Sequence, residues 1–135
     1  MAQNGNKRRT IMTILAIVGA RFRPPAQQVL ENLSSGTKLL LKRQPDNPYD
    51  SNAVQVLLSL EENHGDTVSS LLLASDIPFE EPLHLGFIPR ADAETIAPIM
   101  DQQYLNGDGD GVSEWSGTLT FLLSGQPAIS FVKPE

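Results

Sequence analysis

The sequence predicts a small, closed or nearly closed β-barrel carrying two short helices. Three observations lead there. Seven short stretches are apolar or alternate between apolar and polar residues, and each is bounded by Gly, Pro, Asn or Asp. Only two stretches have helical spacing. The chain is 135 residues long, which suits one domain, and strands this short bury their apolar faces most simply by curling a sheet around one core.

The elements follow in order. Residues 1–10 (MAQNGNKRRT) are polar and read as a disordered basic tail, so the domain runs over 11–135. Ile11 to Ala20, rich in Ile and Val, reads as a buried first strand stopped by Pro24 and Pro25. "AQQVLENLS" puts Val29, Leu30 and Leu33 on one face of a short helix that ends near Gly36. Thr37 to Arg43 and Asn52 to Leu60 are the second and third strands. Thr67 to Ala74 is a fourth and His84 to Ile88 a fifth. Ala93, Ile96, Ala97 and Met100 recur at helical spacing within Ala91 to Gln103, where Pro98 either kinks the helix or marks a late start. Glu114 to Leu123 and Ala128 to Val132 close the domain as a hairpin around Gly125-Gln126-Pro127.

Composition narrows the function classes. An apolar fraction of 40% describes a soluble globular chain, and zero cysteines exclude disulfides and thiolate metal sites. Lys7-Arg8-Arg9 followed by "IMTILAIVGA" has the outline of a secretory signal, but the stretch is too short to span a bilayer. We read it as a strand, because Arg21 and Arg23 directly after it are useful in a folded protein. The expected location is cytoplasmic, with no membrane contact. The net charge of −6 is unevenly spread. Residues 1–50 hold eight basic against three acidic residues, a local +5, whereas residues 51–135 hold two against thirteen, or −11. That asymmetry predicts a local basic site on an acidic body.

Catalytic signatures are missing. The sequence has no Cys, no G-x-S-x-G and no glycine-rich phosphate loop, and His64 and His84 sit in ordinary contexts. "GDGDG", with Asp108, Asp110 and Glu114, lacks the calcium-loop pattern and reads as a solvated loop. No enzyme activity, cofactor or metal is expected. A metal-dependent nuclease built on Asp46, Asp50 and the "GDGDG" acids is the weakest of the readings considered.

"QPDNPYDSNAVQV", residues 44–56, breaks this pattern. Its residues 44–51 place two carboxylates, two side-chain amides, two prolines and a tyrosine between two strands. Asn47-Pro48 fixes a turn, and Asp50 and Asn52 are suited to cap it through their own backbone. Tyr49, on the rim, either packs down on the core or stacks on a ligand. Arg21-Phe22-Arg23 leaves the first strand with charge, ring, charge, and "LGFIPR" puts Phe87 and Arg90 at the end of another strand. Arginines beside aromatic rings on a small barrel suit single-stranded nucleic acid: cations for phosphates, rings for bases.

"IVGARF", "LLLKRQPDNPYDSNAVQV" and "LGFIPRADAETIAPIM", in that order over residues 14–101, resemble the HIRAN domain. D-N-P-Y-D-x-N-A-V followed by G-x-I-P-R is the specific part. The resemblance implies an OB-like or SH3-like barrel that captures the 3′ end of single-stranded DNA, in DNA repair or replication. It implies Arg21 and Arg90 on phosphates, Phe22 and Tyr49 on the terminal bases, and Asn47 and Asp50 bonding the end, with Asp50 accepting from the 3′-hydroxyl. Arg23 stands where DNA-binding members carry a second tyrosine, Phe87 where they carry a histidine, and Asp46 where they carry an asparagine. No ATPase domain accompanies the barrel, so a DNA-processing ATPase or nuclease is an expected partner. The alternative is a protein-interaction barrel that keeps the loop for folding and does not bind DNA.

Overall fold

Alternation decides which side of each strand is buried. In β2 (Lys38–Arg43) Leu39, Leu41 and Arg43 are buried and the residues between them are not. The computed structural model describes residues 12–20, 24–59, 82–106 and 114–132. Six strands form one antiparallel sheet in the order β1-β6-β5-β2-β3-β4, with β1 at Met12–Ala16, β3 at Val54–Leu58, β4 at Leu83–Phe87, β5 at Glu114–Phe121 and β6 at Pro127–Val132. Helix α1 (Pro24–Asn32) links β1 to β2, and α2 (Arg90–Asn106) links β4 to β5.

The mostly β domain with two helices agrees with the sequence reading. Its two edge strands meet at one point: Val18, just past β1, bridges to Phe87 of β4. Among the described residues that bridge alone links the two edges, and the sheet is otherwise open. The expected fourth strand, Thr67 to Ala74, lies outside the described residues.

Both helices bury the faces their spacing predicted. Val29 and Leu30 of α1, and Ala93, Ile96, Ala97 and Met100 of α2, join one core with Leu41, Val56, Leu85 and Ile129. Trp115 and Phe131 pack across β5 and β6 with ring centroids 5.7 Å apart. Gly117 permits the close approach of β6 to β5, because a Cβ there would sit 2.8 Å from Ile129 Cγ1 and 2.7 Å from the Ser130 carbonyl oxygen.

Several boundaries differ from the sequence reading. β1 ends at Ala16 and is only half-buried, with Met12 57% and Ile14 51% exposed. An edge strand paired on one side to β6 need not bury both faces. Pro24 and Pro25 do not merely stop the strand; they open α1, where the absent N–H costs nothing because the first helical donors have no partner. Leu33, expected in that helix, lies beyond its end yet stays buried. Helix α2 runs through Pro98, whose side chain faces solvent, so water can reach the carbonyl that loses its helical donor.

Candidate nucleic-acid interface

The loop 44–53 is built by its own side chains. Asn47 Oδ1 accepts from the backbone N–H of Tyr49 at 2.8 Å and of Asp50 at 3.1 Å, and Asn47 Nδ2 donates to Gln44 Oε1 at 2.8 Å. Asp50 Oδ1 accepts from Asn52 N–H at 2.9 Å, and the Asp50 carbonyl accepts from Ala53 N–H at 3.0 Å. Gln44 N–H donating to the Ala53 carbonyl at 2.9 Å closes the base. Turn-forming Asn and Asp side chains therefore do here what short polar side chains do in turns generally. Both polar groups of Asn47 are engaged in the loop. Asp50 Oδ2 carries no hydrogen bond among the described residues and remains available as an acceptor.

Tyr49 does not pack down. It is 87% exposed, so the Asn47 turn holds a whole aromatic ring out in water. A ring this size left without apolar cover is the residue here best placed to stack on something else.

Strand pairing sets what lies beside this loop. Arg43 at the end of β2 pairs with Val54 at the start of β3, and Val54 accepts a backbone bond from Ile88 N–H at 3.0 Å. Phe87 pairs with Gln55. Phe87 and the start of α2 therefore lie at the same end of the sheet as Tyr49 and Asp50. Pro89 takes the first helical bond of α2 from Ala93 N–H at 2.9 Å, leaving Arg90 as the first helical residue. Arg90 is exposed and has no ion pair among the described residues. A cation at the positive pole of a helix gains nothing from the helix, so an anion placed there would meet two attractions at once.

A bulge aims Phe87. The β3–β4 register shifts between Val56 and Leu57, which pair with Gly86 and His84 and leave Leu85 as the extra residue. Leu83 and Leu85 are buried, but past the bulge the parity changes, so Phe87 is half-exposed while Ile88 is buried. Phe87 meets the His84 ring edge-on, with centroids 4.8 Å apart at 64°. His84, which the sequence marked as ordinary, is thus part of the same aromatic face.

Arg21, Phe22 and Arg23 lie outside the described residues. Their described flanks do not: Val18 is bonded to Phe87, and α1, beginning at Pro24, packs against β4. Beside Val18 a groove of about 730 Å³ runs between α1 and the β5–β6 turn, lined by Gly19, Ala20, Leu30, Phe121 and Gln126 among others. Among the described residues no three His, Asp or Glu side chains cluster closely enough to hold a metal; Asp108 and Asp110 are not among those residues.

Arg43 is the residue that sequence reasoning missed. It was counted with the basic half of the chain, yet it is 4% exposed and its charge is matched by Asp101 of α2 at 2.8 Å. Its signal was its parity, since alternation with Leu39 and Leu41 pointed it inward.

The profile of the HIRAN domain matches residues 12–108, most of the chain. The chain belongs to the HIRAN family. No curated protein and no solved structure matches it. HIRAN domains are DNA-binding modules, and the matched span includes the loop with Tyr49 and Asp50, Phe87 and Arg90. No helix of this HIRAN domain is, among the described residues, long and apolar enough to cross a membrane.

Proposed function

We propose that this HIRAN domain captures single-stranded DNA at a free 3′-hydroxyl and has no enzymatic activity of its own. The observation that carries the proposal is the pairing of an exposed Tyr49 ring with the adjacent Asp50 carboxylate, one oxygen of which has no hydrogen bond among the described residues. The terminal base stacks on Tyr49, and a stacked base contributes roughly 1–3 kcal/mol. Asp50 Oδ2 accepts from the 3′-hydroxyl. The same carboxylate repels a 3′-phosphate or a continuing phosphodiester, so the site reads an end rather than any strand. Arg90, with Arg21 and Arg23, neutralises the last phosphates, and Phe22 and Phe87 add apolar surface. The groove beside Val18 offers the preceding nucleotides a path past Phe121, which is partly exposed. An acidic remainder keeps affinity for internal phosphates low. The module works in the cytoplasm, recruiting or positioning a DNA-processing ATPase or nuclease during repair or replication.

The test is binding, followed by fluorescence anisotropy, of a short internally labelled strand ending in 3′-OH, the same strand ending in 3′-phosphate, and a circle of equal length. A clear preference for the 3′-OH form is expected at both low and physiological salt. Equal binding of all three would reduce the site to a generic basic surface.

One observation favours a second reading, a protein-interaction barrel. Met12 and Ile14 of β1 and Val132 of β6 are exposed, and Met12 pairs directly with Val132, so three apolar side chains share one edge of the sheet. On that reading the barrel binds none of the three DNAs, and Ile14→Ser weakens capture of a protein partner.

A further inference from the structure

We infer that Arg43 and Asp101 are positioning residues for the 3′-end site, setting the loop that presents Asp50 without touching DNA themselves. The inference rests on the end-capture reading. Arg43 makes four hydrogen bonds from a buried position. Nε and Nη2 donate to the two Asp101 carboxylate oxygens at 2.8 and 3.1 Å, Nη1 to the Ala53 carbonyl at 2.8 Å and Nη2 to the Ser51 carbonyl at 3.0 Å.

Those two carbonyls flank Asn52, whose N–H holds Asp50 Oδ1. The guanidinium therefore clamps the backbone on both sides of the amide that orients the carboxylate. Its planar fork suits this task, because it bonds a carboxylate with one edge and carbonyls with the other. Asp101 lies on the helix that begins with Arg90, about 16 Å further along its axis. Arg43 thus joins the loop that carries Asp50 to the helix that carries Arg90.

Stability alone does not account for an arginine here. A leucine at this position would continue the buried row of Leu39 and Leu41, and Asp101, whose side chain is 50% exposed, would be solvated by water rather than left as a buried unpaired charge. What an apolar side chain does not supply is the grip on Ser51 and Ala53.

Arg43→Leu and Asp101→Asn decide the matter, with two readouts. The first is the ratio of affinities for the 3′-OH and 3′-phosphate strands. The second, taken without DNA, is hydrogen exchange at the Asn52 and Ala53 amides, with the thermal midpoint as the check on global folding. Arg43→Leu should keep a cooperative fold and lose at least about tenfold in the affinity ratio, the equivalent of one charge-assisted hydrogen bond. Exchange at Asn52 should rise in step. Asp101→Asn keeps one acceptor oxygen and should fall between that variant and the wild type. A folded Arg43→Leu protein with the wild-type ratio and wild-type exchange overturns the inference while end capture stands. Wild-type protein that does not discriminate the two ends overturns end capture instead, and the exchange data then decide the positioning role alone.

Discussion

Val18 and Phe87 exchange two backbone hydrogen bonds, each 2.8 Å long, and so join one edge of the sheet to the other. The bridge places the residue that precedes "GARFR" beside the strand that leads to Arg90, two stretches nearly seventy positions apart in the sequence. It is possible only because residue 86 is glycine. A Cβ there would collide with the Val18 carbonyl oxygen and lie 3.2 Å from Ile17 Cγ2.

Gly86→Ala is accordingly expected to part the two edges. Losing two backbone bonds at a buried junction should cost about 2 kcal/mol or more. The midpoint of urea unfolding measures it; a midpoint equal to wild type would mean the bridge contributes nothing.

Tyr49→Ala should leave stability within about 0.5 kcal/mol of wild type, because the ring touches solvent rather than core. Affinity for a 3′-OH strand should fall by roughly 1–3 kcal/mol, the value of one stacked base. Paired thermal melts and anisotropy titrations separate the two. A large loss of stability with DNA affinity unchanged would assign the ring to folding.

Arg90→Gln should weaken every single-stranded ligand alike and leave the 3′-OH preference in place. If Arg90 neutralises one phosphate, the slope of log K against log salt should become shallower by about 0.7. Titrations at four or five salt concentrations give that slope, and an unchanged slope removes Arg90 from the phosphate path.

Asn47 supplies an acceptor for two backbone donors and a donor to Gln44. Asn47→Asp keeps the acceptor and should retain most of the stability, whereas Asn47→Ala should lose about 1 kcal/mol, as for other capping side chains. End preference should fall in the alanine variant, since Tyr49 and Asp50 then lose their turn. Equal behaviour of the two variants in chemical denaturation would argue against the turn.

Most of the architecture was legible because it rests on local rules. Alternation marked β2 and β3, helical spacing marked α2, and Gly125-Gln126-Pro127 marked the β5–β6 hairpin. The loop was legible as well. Asn-Pro and the Asp after it announced a turn, but whether the tyrosine in its middle packs down or stands outward was left to the structure, where the ring is exposed.

What sequence alone determined about this protein is therefore its family, its strand-rich domain with two helices, and the identity of the loop that presents Tyr49 and Asp50. The tertiary structure decided the rest, because partnership between distant residues is not a local property. Alternation could point Arg43 inward, but only the packing of α2 against the sheet puts Asp101 against it, turning an apparent surface cation into an internal clamp. "LGF" could be read as strand, but only the bulge opposite Val56 and the approach of Val18 explain its glycine and the outward turn of Phe87. Local spacing fixes which face a residue lies on; long-range packing fixes what it meets there.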